Sequence, residues 1–233
     1  MRVRLDRALS KLGIASRAEA KRLIEAGSVS VRGRVIRDPG RLVVPERTEI
    51  AIEGERQRAV DWRTIALHKP RGVVTTRRDP EGRKTVFDLL GRESRGLVTV
   101  GRLDMASTGL LLLTSDTQLA AWLTDPVNAV IRRYIVTARG AVSDTEVERL
   151  LLGIDDLRAH AVEILKRSGR ETHLSIALTE GRNREIRRLL EGVGHEVTRL
   201  LRVSFGPIEL GTLQPGATRD ITREDIATAF GVR

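Results

Sequence analysis

A single carboxylate, Asp104, shares the polar stretch from Gly101 to Thr108 with Arg102 and two hydroxyls, Ser107 and Thr108. The strand-like run Leu97–Val100 leads into this stretch and the very apolar Leu110–Leu113 leads out of it. An aspartate at the mouth of two buried strands is held rigidly, which suits a nucleophile. A loop aspartate is more commonly a cap for backbone amides, and on these residues alone both roles stay open. Tyr134, the one tyrosine in the chain, falls in a strand-like run, where such a ring ordinarily packs in a core or against a neighbouring strand. Arg184, Arg187 and Arg188 crowd onto one helical pattern, Arg184–Gly192, and Arg182 precedes it. There is no cysteine, and the four histidines, His68, His160, His173 and His195, include no pair at ligand spacing. Disulfides and thiolate sites are excluded, and no bound metal is expected.

Two groups of elements must position these residues. From Trp62 onward, strand-like runs occur at 65–67, 73–76, 97–100, 110–114, 134–137, 162–165 and 174–178. Helical patterns intervene at 116–123, at 144–152 behind a Ser143/Glu146 capping box, and at 184–192. Strands outnumber helices and most connections are turns, so this part is expected to be α+β around a mixed, largely antiparallel sheet. The first sixty residues form a smaller α/β pattern. Leu5–Leu12 has helical spacing and ends at Gly13; Ser16, with Glu19 three positions on, opens a second helix closed by Gly27. Val29 and Val31 alternate, Arg32-Gly33-Arg34 turns into Val35-Ile36, and Ile50–Ile52 closes the unit before a polar stretch from Glu53 to Arg58. The expected division is 1–60 and 61–233.

Charge points to a polyanionic partner. The 233 residues carry 41 Lys/Arg against 31 Asp/Glu, a net +10. Residues 1–60 alone hold 14 against 8, making this part the stronger electrostatic footprint. Arg17, Lys21, Arg22, Arg32 and Arg34 are its candidate phosphate contacts, with plain solvated surface as the alternative. No apolar run approaches a membrane span, and Met1–Asp6 lacks a signal-peptide core, so a cytoplasmic protein without membrane attachment is expected.

Residues 1–60 resemble the S4-type RNA-binding domain through Arg4-Leu5-Asp6, Gly13-Ile14-Ala15-Ser16-Arg17 and Ala26-Gly27-Ser28-Val29-Ser30-Val31-Arg32-Gly33. The segment Val100–Thr114 resembles the catalytic motif of the pseudouridine synthases, in the branch that modifies ribosomal RNA and carries an amino-terminal S4-type domain. Leu67–Thr76, Arg132–Val136, Glu180–Leu190 and Leu200–Ile208 resemble further segments of that family, in its order. Three positions depart from the usual pattern without removing an essential group: Thr117 for a glycine, Arg132 for a lysine, and His68 for an asparagine.

The resemblance implies isomerisation of uridine to pseudouridine in ribosomal RNA, with no metal, cofactor or energy donor. Asp104 would attack the sugar C1′, or act through an elimination that leaves a glycal; the uracil then turns and joins C1′ through C5. The target base must leave its stack to reach a buried carboxylate. Tyr134 would stack on the uracil and help remove the C5 proton. Arg187 would pair with Asp104 and aim it. Arg102 would help hold the flipped nucleotide, with a structural salt bridge as the alternative. Arg184 would contact RNA, and the other arginines of that helix would face phosphate or solvent. Large-subunit (23S) RNA is the favoured substrate, small-subunit (16S) RNA the alternative, and a monomer the expected state. A non-catalytic assembly factor fits the charge but leaves Asp104, Tyr134 and Arg187 unexplained. A DNA-binding regulator explains nothing after residue 62. With 3% aromatic residues the chain is too poor in rings for a stacking platform of the RNA-recognition-motif kind.

Overall fold

The computed structural model describes residues 2–12, 14–15, 17–57 and 61–231. The amino-terminal elements are β1 (Val3–Arg4), α1 (Leu5–Lys11), α2 (Arg17–Ala26), β2 (Val29–Val31), β3 (Arg34–Val35), β4 (Leu42–Val43), β5 (Ile50–Ile52) and β6 (Glu55–Gln57). The antiparallel order β3-β2-β5-β6 forms one small sheet, and β1 pairs with β4. Leu5 and Leu9 of α1 meet Ala20 and Ile24 of α2 over Val29 and Ile50, as the apolar spacing requires. The expected Gly13 stop and Ser16 cap lie outside the described residues. Part of the polar stretch after Ile52 is itself a strand, β6: its side-chain polarity hid a backbone ladder that pairs Ile50 with Gln57.

The larger part holds β7 (Thr64–Lys69), α3 (Val86–Leu90), β8 (Val98–Thr99), β9 (Thr108–Thr114), α4 (Thr117–Thr124) and β10 (Arg132–Arg139). There follow α5 (Asp144–Leu152), β11 (Ala161–Arg167), β12 (Glu171–Leu178), α6 (Glu185–Glu191), β13 (Val197–Phe205), β14 (Ile208–Glu209), β15 (Thr218–Ile221) and α7 (Arg223–Phe230). One sheet runs β11-β12-β10-β13-β9-β7-β15, with β14 beside β13 and β8 beside β9. Every pairing in it is antiparallel except β13 with β9. The mixed, largely antiparallel α+β architecture read from the sequence is therefore the observed one.

Both faces of this sheet are covered, which explains why β9 reads as an unbroken apolar run. Leu111 and Leu113 join a core with Val136, Leu150, Ile176 and Leu189, beneath α5 and α6. Leu110 and Leu112 point the other way, to Leu123 of α4 and Ile226 of α7. The Asp116 side chain caps α4, and Ser143 with Glu146 forms the expected capping box on α5. Residues 73–76 are not a strand. Gly72 takes φ +83°, Val74 makes an isolated bridge to Thr85, and the Thr75 hydroxyl is committed to the backbone of Leu103.

The single parallel contact divides the sheet into two antiparallel halves. It consists of two pairs, Leu201 with Thr108 and Arg202 with Gly109. The strands approach so closely there that a Cβ on Gly109 would lie 2.6 Å from the Arg202 nitrogen and nearer still to its carbonyl oxygen. Only glycine fits, at a φ of +106°.

Candidate active site

The loop that carries Asp104 emerges beside this seam and is tied at three successive points. Thr75 Oγ1 donates to the Leu103 carbonyl at 2.7 Å and accepts the Leu103 amide at 3.2 Å. The Gly72 amide donates to the Met105 carbonyl at 2.8 Å. Lys69 Nζ donates to the carbonyls of Ser107, at 2.8 Å, and Pro70, at 2.9 Å. With the backbone fixed on both sides, the half-buried Asp104 side chain has little freedom to swing. Its carboxylate makes no hydrogen bond and no ion pair within 4.0 Å to any described residue, so it caps nothing and faces a cavity of about 320 Å³.

Five of the residues singled out in the sequence converge on that cavity: Arg102, Asp104, Tyr134, Arg184 and Arg187. Tyr134 is buried on β10, opposite Ile176 of β12 and Arg202 of β13, beside a register shift between Arg133 and Tyr134. Such irregularities re-aim side chains at the edge of a site. Arg102 is exposed at the rim and forms no ion pair among the described residues. Arg184 is exposed and holds a left-handed conformation, φ +51°, where it starts α6. That strain, of the order of 1 kcal/mol, fixes the angle at which the helix meets the cavity.

Arg187 does not make the expected direct pair with Asp104: no ion pair within 4.0 Å joins them. Its Nη1 donates to the Val197 carbonyl at 2.8 Å, while its Nε is enclosed without a partner among the described residues. Burial, seconded by the Arg184 charge, lowers its pKa, and Asp104 acts in the opposite sense. The backbone of β13 thus takes the nitrogen expected for the carboxylate, and the two charges interact across the cavity. Arg182 and Arg188 are both ion-paired: Arg182 with Glu180 and Asp156, both at 2.6 Å, and Arg188 with Asp156 at 3.2 Å. Both are solvent-facing, but as a network that braces the start of α6.

Arg17, Lys21, Arg22, Arg32 and Arg34 lie in the amino-terminal unit, away from this cavity. Arg17, Lys21 and Arg22 are exposed on α2, where Lys21 approaches Glu25 at 3.7 Å. Arg32 and Arg34 instead line a groove with Arg2 and Arg41, whose role the sequence did not suggest.

Three buried cations around the site were given no role in it by sequence analysis. Lys69 is wholly enclosed, and burial pushes its pKa down to about 8, with Asp104 opposing and Arg202 reinforcing the fall. Arg132 donates to the carbonyls of Thr179 and Leu123, and its guanidinium lies 4.9 Å from the Phe205 ring centre. Arg202 lies on the opposite strand from Tyr134. Glu185 is buried in the same wall and accepts the Arg182 amide at 3.0 Å; burial raises its pKa. The available signal was a charged residue inside an apolar strand, as in Leu67-His68-Lys69 and Leu200-Leu201-Arg202, since such groups are rarely buried without a task.

A tethered, unpaired carboxylate beside a ring and beneath several cations can attack an electron-poor carbon and accommodate the negative charge that a departing group carries. Residues 63–192 match the RNA pseudouridylate synthase family and residues 3–48 match the S4 domain. The chain belongs to the RNA pseudouridylate synthase family. It is 42% identical over 222 residues to ribosomal large subunit pseudouridine synthase B of Escherichia coli (strain K12), covering 90% of this chain and 76% of that protein. It is 38% identical over 236 residues to an uncharacterized RNA pseudouridine synthase of Mycobacterium leprae (strain TN), covering 98% and 92%. A crystal structure of a pseudouridylate synthase superposes with a TM-score of 0.66 at 25% identity, over 96% of this chain and 98% of the other. The activity of this family is an isomerisation within RNA, and the protein is an enzyme of that kind.

Proposed function

We propose that this protein converts a uridine of large-subunit ribosomal RNA to pseudouridine, with Asp104 as the nucleophile. The observation that carries the assignment of Asp104 is its unpaired carboxylate, held by a loop anchored at Leu103, Met105 and Ser107 and facing the cavity lined by Tyr134 and Arg187. The large-subunit substrate rests on the relative from Escherichia coli, whose name specifies that RNA.

A flipped uridine enters past Arg102 and Arg184, whose exposed guanidiniums suit the flanking phosphates. The uracil stacks on Tyr134, which brings C1′ to Asp104. The carboxylate attacks C1′, or removes a C2′ proton in the elimination variant, and the C1′–N1 bond breaks. The ring turns and C5 bonds to C1′ as the C1′–Asp104 ester bond breaks, or, in the elimination variant, as Asp104 returns the proton to C2′; the C5 proton then leaves with help from the Tyr134 hydroxyl. Arg187 acts on Asp104 through its charge rather than by contact. Residues 1–60 hold the RNA, residues 61–233 perform the chemistry, and the protein works in the cytoplasm.

Asp104→Asn tests this directly. The variant should form no pseudouridine in a large-subunit RNA transcript, measured by carbodiimide mapping, while its RNA affinity stays within about twofold because no charge that binds phosphate is removed. Turnover at the wild-type rate would remove Asp104 from its role.

A further inference from the structure

Three enclosed side-chain atoms lack a hydrogen-bond partner among the described residues: Ser107 Oγ, Arg187 Nε and Arg202 Nη2. All three residues line the catalytic cavity. An orphaned polar atom is costly to bury, and its concentration at one cavity marks groups waiting for a ligand. Arg202 is the most exposed to that argument. It is 3% accessible and belongs to no ion pair among the described residues. Its Nε donates to the Leu110 carbonyl at 2.6 Å, and its guanidinium lies 5.4 Å from the Phe205 ring centre. Lys69 and Arg132, its buried charged neighbours, both repel it.

We propose that Arg202 is a catalytic residue that takes up the negative charge developing on the uracil oxygens as the glycosidic bond breaks. This rests on the function proposed above. Arg202 stands in register with Tyr134 on one side and with Gly109, at the start of the strand after the Asp104 loop, on the other. Tyr134, Asp104 and Arg202 line the same cavity, so a uracil stacked on Tyr134 with its C1′ at Asp104 would lie beside this arginine. The flanking phosphates remain at the rim, within reach of the exposed Arg102 and Arg184.

The charge balance requires such a group. When the C1′–N1 bond breaks, its electron pair passes to the ring and is delocalised onto O2 and O4. Asp104 loses its charge at the same time, either by bonding to C1′ or by accepting the C2′ proton. One negative charge therefore moves from the carboxylate to the base, and no other reactant enters. A fixed cation beside the ring stabilises that transition state more than the ground state.

The test compares two transcripts of the same RNA, one with uridine and one with 5-fluorouridine, whose ring carries negative charge more readily. Single-turnover loss of the N-linked nucleoside is measured for wild type and Arg202→Met. On uridine the variant should be slower by about 100-fold or more, the usual effect of losing one preorganised donor. On 5-fluorouridine the deficit should shrink at least tenfold, with RNA affinity within about twofold of wild type. Arg202→Lys, which keeps a cation there, should fall between wild type and Arg202→Met, and it carries the comparison if circular dichroism shows Arg202→Met to be unfolded. Equal losses on both transcripts, or weaker RNA binding at an unchanged rate, would overturn the inference. Failure of the wild type to convert either transcript would instead overturn the function on which it rests.

Discussion

Replacing Gly109 with alanine attacks the seam on which Asp104, Tyr134 and Arg202 are aligned. The φ of +106° is unfavourable for any side chain, at about 1–2 kcal/mol. The new Cβ would also meet the Arg202 backbone at 2.6 Å from nitrogen and 2.9 Å from the carbonyl carbon. These are main-chain atoms that cannot rotate away, so β9 and β13 must separate; overpacking of this kind costs about 1–3 kcal/mol. Together the two effects come to about 4 kcal/mol, which for a chain of this length lowers the melting temperature by roughly 8–16 °C. Gly82→Ala supplies the control: it shares the positive φ, at +70°, but nothing lies within 4 Å of its Cβ. Its cost is the backbone strain alone, about 1 kcal/mol, or roughly 2–4 °C. Thermal unfolding by circular dichroism measures both, and single-turnover pseudouridine formation should fall in Gly109→Ala but not in Gly82→Ala. If Gly109→Ala melts no lower than Gly82→Ala, the seam is not the constraint described.

Lys69 gives a pH dependence of defined sign. Its folded pKa, about 8, lies below its ordinary 10.5, so the cost of burying the charge is fully present below pH 8 and is relieved as pH rises toward 10.5. That interval corresponds to about 3 kcal/mol. Any stability advantage of Lys69→Met, with its lost hydrogen bonds contributing a constant offset, should shrink by about this amount between pH 7 and 10.5 in denaturant unfolding; a difference independent of pH would show that Lys69 is not charged when buried. Changing Arg17, Lys21 and Arg22 together to glutamine should reduce the slope of log affinity against log salt by up to about 2–3, since each lost phosphate contact contributes roughly 0.7–0.9. An unchanged slope would remove α2 from the RNA interface.

The strands and helices of the larger sheet were legible where periodicity was strong, as at Leu110–Leu113 and behind the Ser143 cap. Val73–Thr76 misled because its β-branched residues have strand propensity, whereas the Thr75 hydroxyl spends itself on the Leu103 backbone. The carboxyl-terminal β15 and α7 went unread; Thr218–Ile221 is mostly polar and gains strand structure only by pairing with Thr64–Leu67. In the site, resemblance singled out Asp104, Tyr134 and Arg187, but could not show that Arg187 spends a nitrogen on Val197. Lys69, Arg132 and Arg202 were hidden for a related reason. A charge in a strand looks like an outward-facing residue until both faces of the sheet are known to be covered.

The seam between β9 and β13 also governs when the enzyme can exist. Leu110 and Arg202, joined across it, are 92 residues apart in sequence. Closing so long a loop costs entropy that only the finished sheet repays. The amino-terminal unit draws its core from local contacts and can form early in synthesis. The nascent chain can thus present an RNA-binding surface before it has a catalytic floor, and until β13 emerges Asp104 and Tyr134 belong to separate pieces of unfinished sheet.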